Sequence, residues 1–201
     1  MKLRNFARLK ALSEELGTTV IEALRTLQVE ARRNEYGEVE EYLWKAISIK
    51  ADLQDALVES LIRYQPMARE LRFVRALLDV SYDLYRISRH ASRIETVLEI
   101  RGTESARETA VEALTIVLPW IETAVKALDG KFSIPAEELP FFNAEFEEFW
   151  NRNIKTEEPA VMAVMIHSEG IFNHTKHMLA SAVYYVEGPK GLEKMPILLI
   201  S

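Results

Sequence analysis

Three of the four histidines in this 201-residue chain fall within one short stretch, His167, His174 and His177; the fourth is His90. Steps of seven and three residues bring imidazoles back to one side of a helix, an arrangement that zinc coordination uses. No His-Glu-x-x-His signature accompanies them, and the competing reading is a set of capping or core histidines. Cysteine is absent, which excludes a disulfide scaffold, a thiolate zinc site and a thiol nucleophile. The chain also lacks a glycine-rich phosphate loop, a Gly-x-Ser-x-Gly elbow and any kinase or nucleotide fingerprint. Carboxylates are abundant: 31 Asp and Glu stand against 25 Lys and Arg, a formal charge of −6. That acidic excess argues against a nucleic-acid partner, whose phosphates are met by clustered cations.

Helices must position these groups. Hydrophobic residues make up 48% of the chain, enough for a sizeable core in one domain or two small repeated ones. Leu9, Leu12, Leu16, Val20, Ala23 and Leu27 form one stripe at three- and four-residue steps. Leu43, Ala46, Ile49, Leu53, Leu57 and Leu61 form a second, and Val111, Leu114, Leu118, Ile121, Val125 and Leu128 a third. Such spacing belongs to amphipathic helices, and no segment alternates with a period of two. The expected fold class is all-α.

Six helices follow from the breaks. Asn34 to Gly37 parts the first from the second, and Gln65-Pro66 the second from the third, because proline disfavours helical backbone just before it. Gly102 to Ser105 ends the third, with Ser105 and Glu108 reading as a capping box for the fourth. Asp129-Gly130 stops the fourth, which Pro119 should kink. Pro135 and Pro140 sit in a longer connection before a short aromatic helix with Phe142, Phe146, Phe149 and Trp150. Thr156 to Pro159 starts the last long helix and Gly188-Pro189 closes it. Pairing His90 with His174 also pairs Leu77 with Val161, Val80 with Val164, Ile87 with Ile171 and Ile94 with Met178, which points to an internal duplication. No membrane segment is expected. The basic start, Met1 to Lys10, never opens into an apolar run, and Ile197 to Ile200 falls far short of the ~20 residues a bilayer needs.

The stretch Gln65-Pro66-Met67-Ala68-Arg69-Glu70-Leu71-Arg72-Phe73-Val74, followed by Asp83-Leu84-Tyr85-Arg86-Ile87-Ser88-Arg89-His90-Ala91, resembles the PhoU family of phosphate-uptake regulators. The family opens its third helix with Gln-Pro-x-Ala-Arg/Lys-Asp-Leu-Arg and continues to Asp/Glu-Leu-Glu-Arg-Ile-Gly-Asp-His-Ala. Glu169-Gly170-Ile171-Phe172-Asn173-His174 stands where the family has a second Glu-Arg-Ile-Gly-Asp-His. Ala182 to Gly188 is similar to its Val-Ile-Tyr-Leu-Val-x-Gly ending. The resemblance implies two tandem three-helix bundles, here residues 1–102 and 103–201.

It also implies metal clusters on Glu-x-x-x-Asp and Asp-x-x-x-Asp pairs, four residues apart on facing helices. In the first half these positions fall on Leu43, Ile47, Tyr85 and Arg89, so that bundle should be metal-free and filled with apolar volume. In the second half they fall on Asn143, Glu147, Glu169 and Asn173, with His177 one further step along the face. No resident cofactor is expected, save one divalent or iron-type ion at this second set. The competing reading there is a hydrogen-bonded polar patch without metal.

The functional expectation from the resemblance is a non-enzymatic, cytoplasmic regulator of phosphate uptake or phosphate signalling. It would act by protein contact on the ATPase of a phosphate ABC transporter or on an associated signalling protein, and would form a homodimer. Arg69, Glu70, Arg72 and Arg75 are candidates for the partner face, against the alternative of a solvated charged surface. The runner-up function is a metal-binding carboxylate helical bundle with a single site in the second half.

Overall fold

A computed structural model describes residues 2–130, 134 and 137–193, with side chains from Asn5 onward. Pro135 and the Ile197 to Ile200 tract lie outside the described residues. Among those described, every regular element is a helix: α1 (Lys2–Arg33), α2 (Val39–Tyr64), α3 (Arg69–Arg101), α4 (Glu104–Ala127), α5 (Leu139–Asn153), α6 (Pro159–Glu187) and α7 (Pro189–Glu193). Six match the helices expected from the breaks. The seventh is a single turn begun by Pro189, too short to show a stripe. No described helix is long and apolar enough to cross a membrane.

Helices α1, α2 and α3 pack on one another, as do α4, α5 and α6. The two groups are joined lengthwise, α3 along α6 and α1 along α4, and their buried residues form one continuous cluster. In α1 the stripe of Leu9, Leu16, Val20, Ala23 and Leu27 is fully buried. Gly17 marks the crossing with α4: a Cβ there would press into the Val125 side chain. In the second group Phe146 stacks on Phe172 with ring centres 3.9 Å apart, and Phe142 lies between Phe172 and Trp120 at 4.8 Å from each. These rings fasten α5 to α4 and α6.

The turns explain where helices stop. Gly102 receives the end of α3, its N–H bonding to the Leu98 carbonyl at 2.9 Å. The cap of α4 is Thr103 rather than the expected Ser105: the Thr103 hydroxyl accepts the Ala106 N–H at 3.1 Å. Both residue types cap well, but the chain leaves Gly102 extended, so Thr103 comes first into capping position. The same hydroxyl donates to Glu158 at 2.8 Å, tying this turn to the start of α6. Between α2 and α3, Gln65 and Ala68 adopt left-handed φ values of 43° and 49° around Pro66. Side chains other than glycine rarely adopt that backbone, so the Gln-Pro turn is strained.

Two buried carboxyls hold the α1–α2 turn. Glu95 accepts the Gly37 and Val39 N–H groups, each at 3.0 Å, and Glu30 accepts the Glu38 N–H at 2.9 Å. They replace the side-chain cap that α2 lacks. Burial, with the Glu95 charge beside it, pushes the Glu30 carboxyl up to about 7, against the opposing pull of the Glu38 N–H.

Candidate functional site

All four histidines meet on the seam where α3 runs along α6. Asp83, on α3 and only 4% exposed, accepts a hydrogen bond from His174 Nδ1 at 2.8 Å. His177, one helical turn further along α6, brings its Nδ1 to 3.7 Å from the same Asp83 oxygen. Two turns along α3, His90 Nδ1 faces His167 Nδ1 at 3.3 Å. The His90 and His174 rings, 5.8 Å apart, link the two contacts into one row. Gly170 makes the row possible. A Cβ there would overlap the His90 ring, so only a bare backbone lets α6 approach α3 this closely.

The offset that superposes His90 on His174 also places Asp83 on His167, since both pairs are 84 residues apart. Asp83–His174 and His167–His90 are thus related by one 84-residue offset. In the second copy an imidazole replaces the carboxylate.

Electrostatics follows chemistry. Burial first, then His167 and His174, then Arg86 and Arg89, push His90 down to about 4. Burial, reinforced by Arg93, lowers His167 as well. With two Nδ1 atoms facing each other, one ring must donate and the other accept, so the contact needs a bare nitrogen. Next along α3, burial raises the Asp79 carboxyl, with Arg75 opposing and Asp83 assisting.

Asp83 is the side chain of this row that spacing within one helix does not reveal. Its partners lie 91 and 94 residues away, and the signal for it is the repeat itself. Asp83, His174 and His177 place three ligand atoms within 4.8 Å of one another. His90, His167 and His174 are half-buried between the two helices, and His177 is exposed.

The carboxylate–amide set of the second half is arranged differently. Asn143 donates to Glu147 at 2.5 Å along α5. Glu169 and Asn173 stand on α6, Glu169 exposed and Asn173 half-buried. Glu147 also lies within electrostatic reach of the Lys176 ammonium, whose pKa burial lowers and Glu147 supports. At the corresponding first-half positions, Leu43, Ile47 and Tyr85 are only half-buried and Arg89 is exposed. The expectation that they fill a cluster site with apolar volume is corrected: they sit on the outer edge of α2 and α3, outside the buried core. Arg89 donates to the Tyr85 hydroxyl at 3.4 Å and lies over its ring. One phenol beside a guanidinium does not fit a multivalent cation.

The basic start of α3 is engaged within the molecule. Arg69 donates to the Gly130 carbonyl at 2.8 Å and lies over the Tyr185 ring; Arg72 donates to the Tyr185 carbonyl at 3.4 Å; Arg75 lies over the Tyr184 ring at 4.8 Å. Cations beside the last carbonyls of α6 complement its negative dipole end. These arginines clasp α6 to α3, while Arg69 and Arg75 stay exposed.

Residues 6–96 match the family model described as PhoU domain. The fold is similar to that in the crystal structure of PhoU from Pseudomonas aeruginosa, with a TM-score of 0.62 and 17% identity over 93% of this chain and 96% of that one. Comparison with curated protein sequences finds no match.

Proposed function

We propose that this chain, whose residues 6–96 match the PhoU domain model and whose fold is similar to that of a solved PhoU, is a non-enzymatic regulator of phosphate uptake or phosphate signalling. It acts by protein contact, at the cytoplasmic side of a phosphate ABC transporter, on the ATPase subunit or an associated signalling protein.

The observation that carries protein contact is an apolar stripe left open on α2. Trp44 is 63% exposed and Ile62 72%, with Val58 exposed between them. At 100° per residue, Trp44, Ala51, Val58 and Ile62 lie within about 40° of one another, along roughly 27 Å of helix. Met67, 76% exposed in the following turn, extends the stripe. Large apolar side chains gathered on one face of an otherwise charged surface mark interaction sites.

The test is co-purification of the chain with the transporter ATPase from cells grown in high and low phosphate. The double variant Trp44→Glu, Ile62→Glu should weaken capture at least tenfold while leaving the helical circular dichroism unchanged. If deleting the gene alters neither phosphate uptake nor a phosphate-starvation reporter, the reading fails. Light scattering of the same samples measures the expected homodimer.

A further inference from the structure

We propose that Asp83, His174 and His177 form a binding site for one divalent transition-metal ion of the zinc class, held across the seam between α3 and α6. The site lies apart from the carboxylate positions weighed above, and it does not depend on the phosphate reading.

Geometry supports it first. Zinc binds imidazole nitrogen and carboxylate oxygen at about 2.0–2.1 Å, so neighbouring ligand atoms in a tetrahedron stand about 3.4 Å apart. The Asp83 oxygen lies 2.8 Å from His174 Nδ1 and 3.7 Å from His177 Nδ1, on either side of that value. Residues three apart share a helix face, so both imidazoles come from one wall and the carboxylate from the other.

Charge supports it second. Asp83 is buried, and among the described residues the ion-pair partners at its carboxylate are the two histidines, with no Lys or Arg. A buried carboxylate needs compensation. A dication bound by the Asp83 carboxylate and the two imidazoles supplies it.

Ligand type and access support it third. Two imidazoles and one carboxylate suit zinc, cobalt or nickel, whereas magnesium and calcium prefer oxygen donors throughout. The His177 side chain is 51% exposed, so water can complete the coordination. The His174 side chain, 15% exposed, is packed between the His90 ring and the edge of Tyr82, which fixes its orientation.

The test uses the full untagged chain, stripped with EDTA and titrated separately with Zn2+, Co2+ and Mg2+. Zn2+ should bind one to one, Co2+ should develop visible absorption on binding, and Mg2+ should not compete. At a hundredfold excess over Kd, Zn2+ should raise Tm by roughly 5–10 °C. His177→Gln, at an exposed position that the fold does not need, should weaken Zn2+ affinity at least tenfold, and Asp83→Asn at least as much. The proposal is overturned if Zn2+ affinity is unchanged in His177→Gln, if no binding occurs below ~100 μM, a weak affinity on the scale of specific sites, or if Glu169→Ala abolishes binding while His177→Gln does not.

Discussion

At one end of the histidine row on the α3–α6 seam Asp83 meets His174 at 2.8 Å; at the other, His90 meets His167 at 3.3 Å. The same 84-residue offset relates the two contacts, and they differ in that a carboxylate stands in one where an imidazole stands in the other. A carboxylate accepts from an imidazole that is charged or neutral, and its spare lone pairs leave room for His177 as well. An imidazole in its stead accepts only while one nitrogen is bare, and it repels a protonated neighbour. The second contact opposes protonation, and His90 is pushed down to about 4.

The largest test of that contrast is Asp83→Ala. Losing the buried acceptor should cost about 3 kcal/mol and lower Tm by roughly 6–12 °C. His90→Ala should cost only about 1 kcal/mol by the same thermal melt, and equal losses would end the distinction between the two ends. Next in size is His167→Asp, which rewrites the second contact in the chemistry of the first. It should add about 1 kcal/mol at pH 6. It should also move the His90 titration, followed by NMR, from about 4 to above its ordinary 6.5. A His90 that stays near 4 would show that the two ends are not equivalent.

The smallest effect lies in the pH profile. Between about 4 and 6.5 the unfolded chain holds more protons at His90 than the folded one, so this residue makes stability rise with pH and fall away on acidification. Glu30 does the reverse. Its carboxyl, raised from 4.5 to about 7, holds more protons when folded, so its contribution is present at low pH and lost as pH rises through that window. The wild-type profile should therefore be shallow where the windows overlap. Urea denaturation at pH 4.5, 5.5 and 6.5 should show a falling profile in His90→Asn and a rising one in Glu30→Gln. Parallel profiles in both variants would remove this account.

The helices were legible because burial is periodic: the positions of the α1 stripe are among the most deeply buried in the chain, Leu12 apart. Scarce glycine and proline marked the turns. The α4 cap was misread because Thr103 and Ser105 are both competent, and only the extended Gly102 backbone decides between them. Asp83 opens the family-like stretch on α3, but no local pattern shows that it meets His174 and His177, because both partners lie on α6. The same holds for Arg69, Arg72 and Arg75, whose spacing shows a charged helix start but not the tyrosines and carbonyls they grip. Pairing within a helix can be counted along the chain, whereas pairing across the seam cannot.

The seam also sets an order of events during synthesis. α3 emerges from the ribosome long before α6, with Asp83, His90 and the basic start of the helix already in place but their partners not yet made. For that interval the face later covered by α6 is open, and Asp83 is solvated. The N-terminal helices can assemble on local contacts. Closure must wait until residues 159–187 have cleared the exit tunnel, when α6 docks with its glycine over His90 and its end under the three arginines. The nascent chain thus passes through a stage with an uncovered apolar groove, the stage at which chaperones act and at which neighbouring chains aggregate.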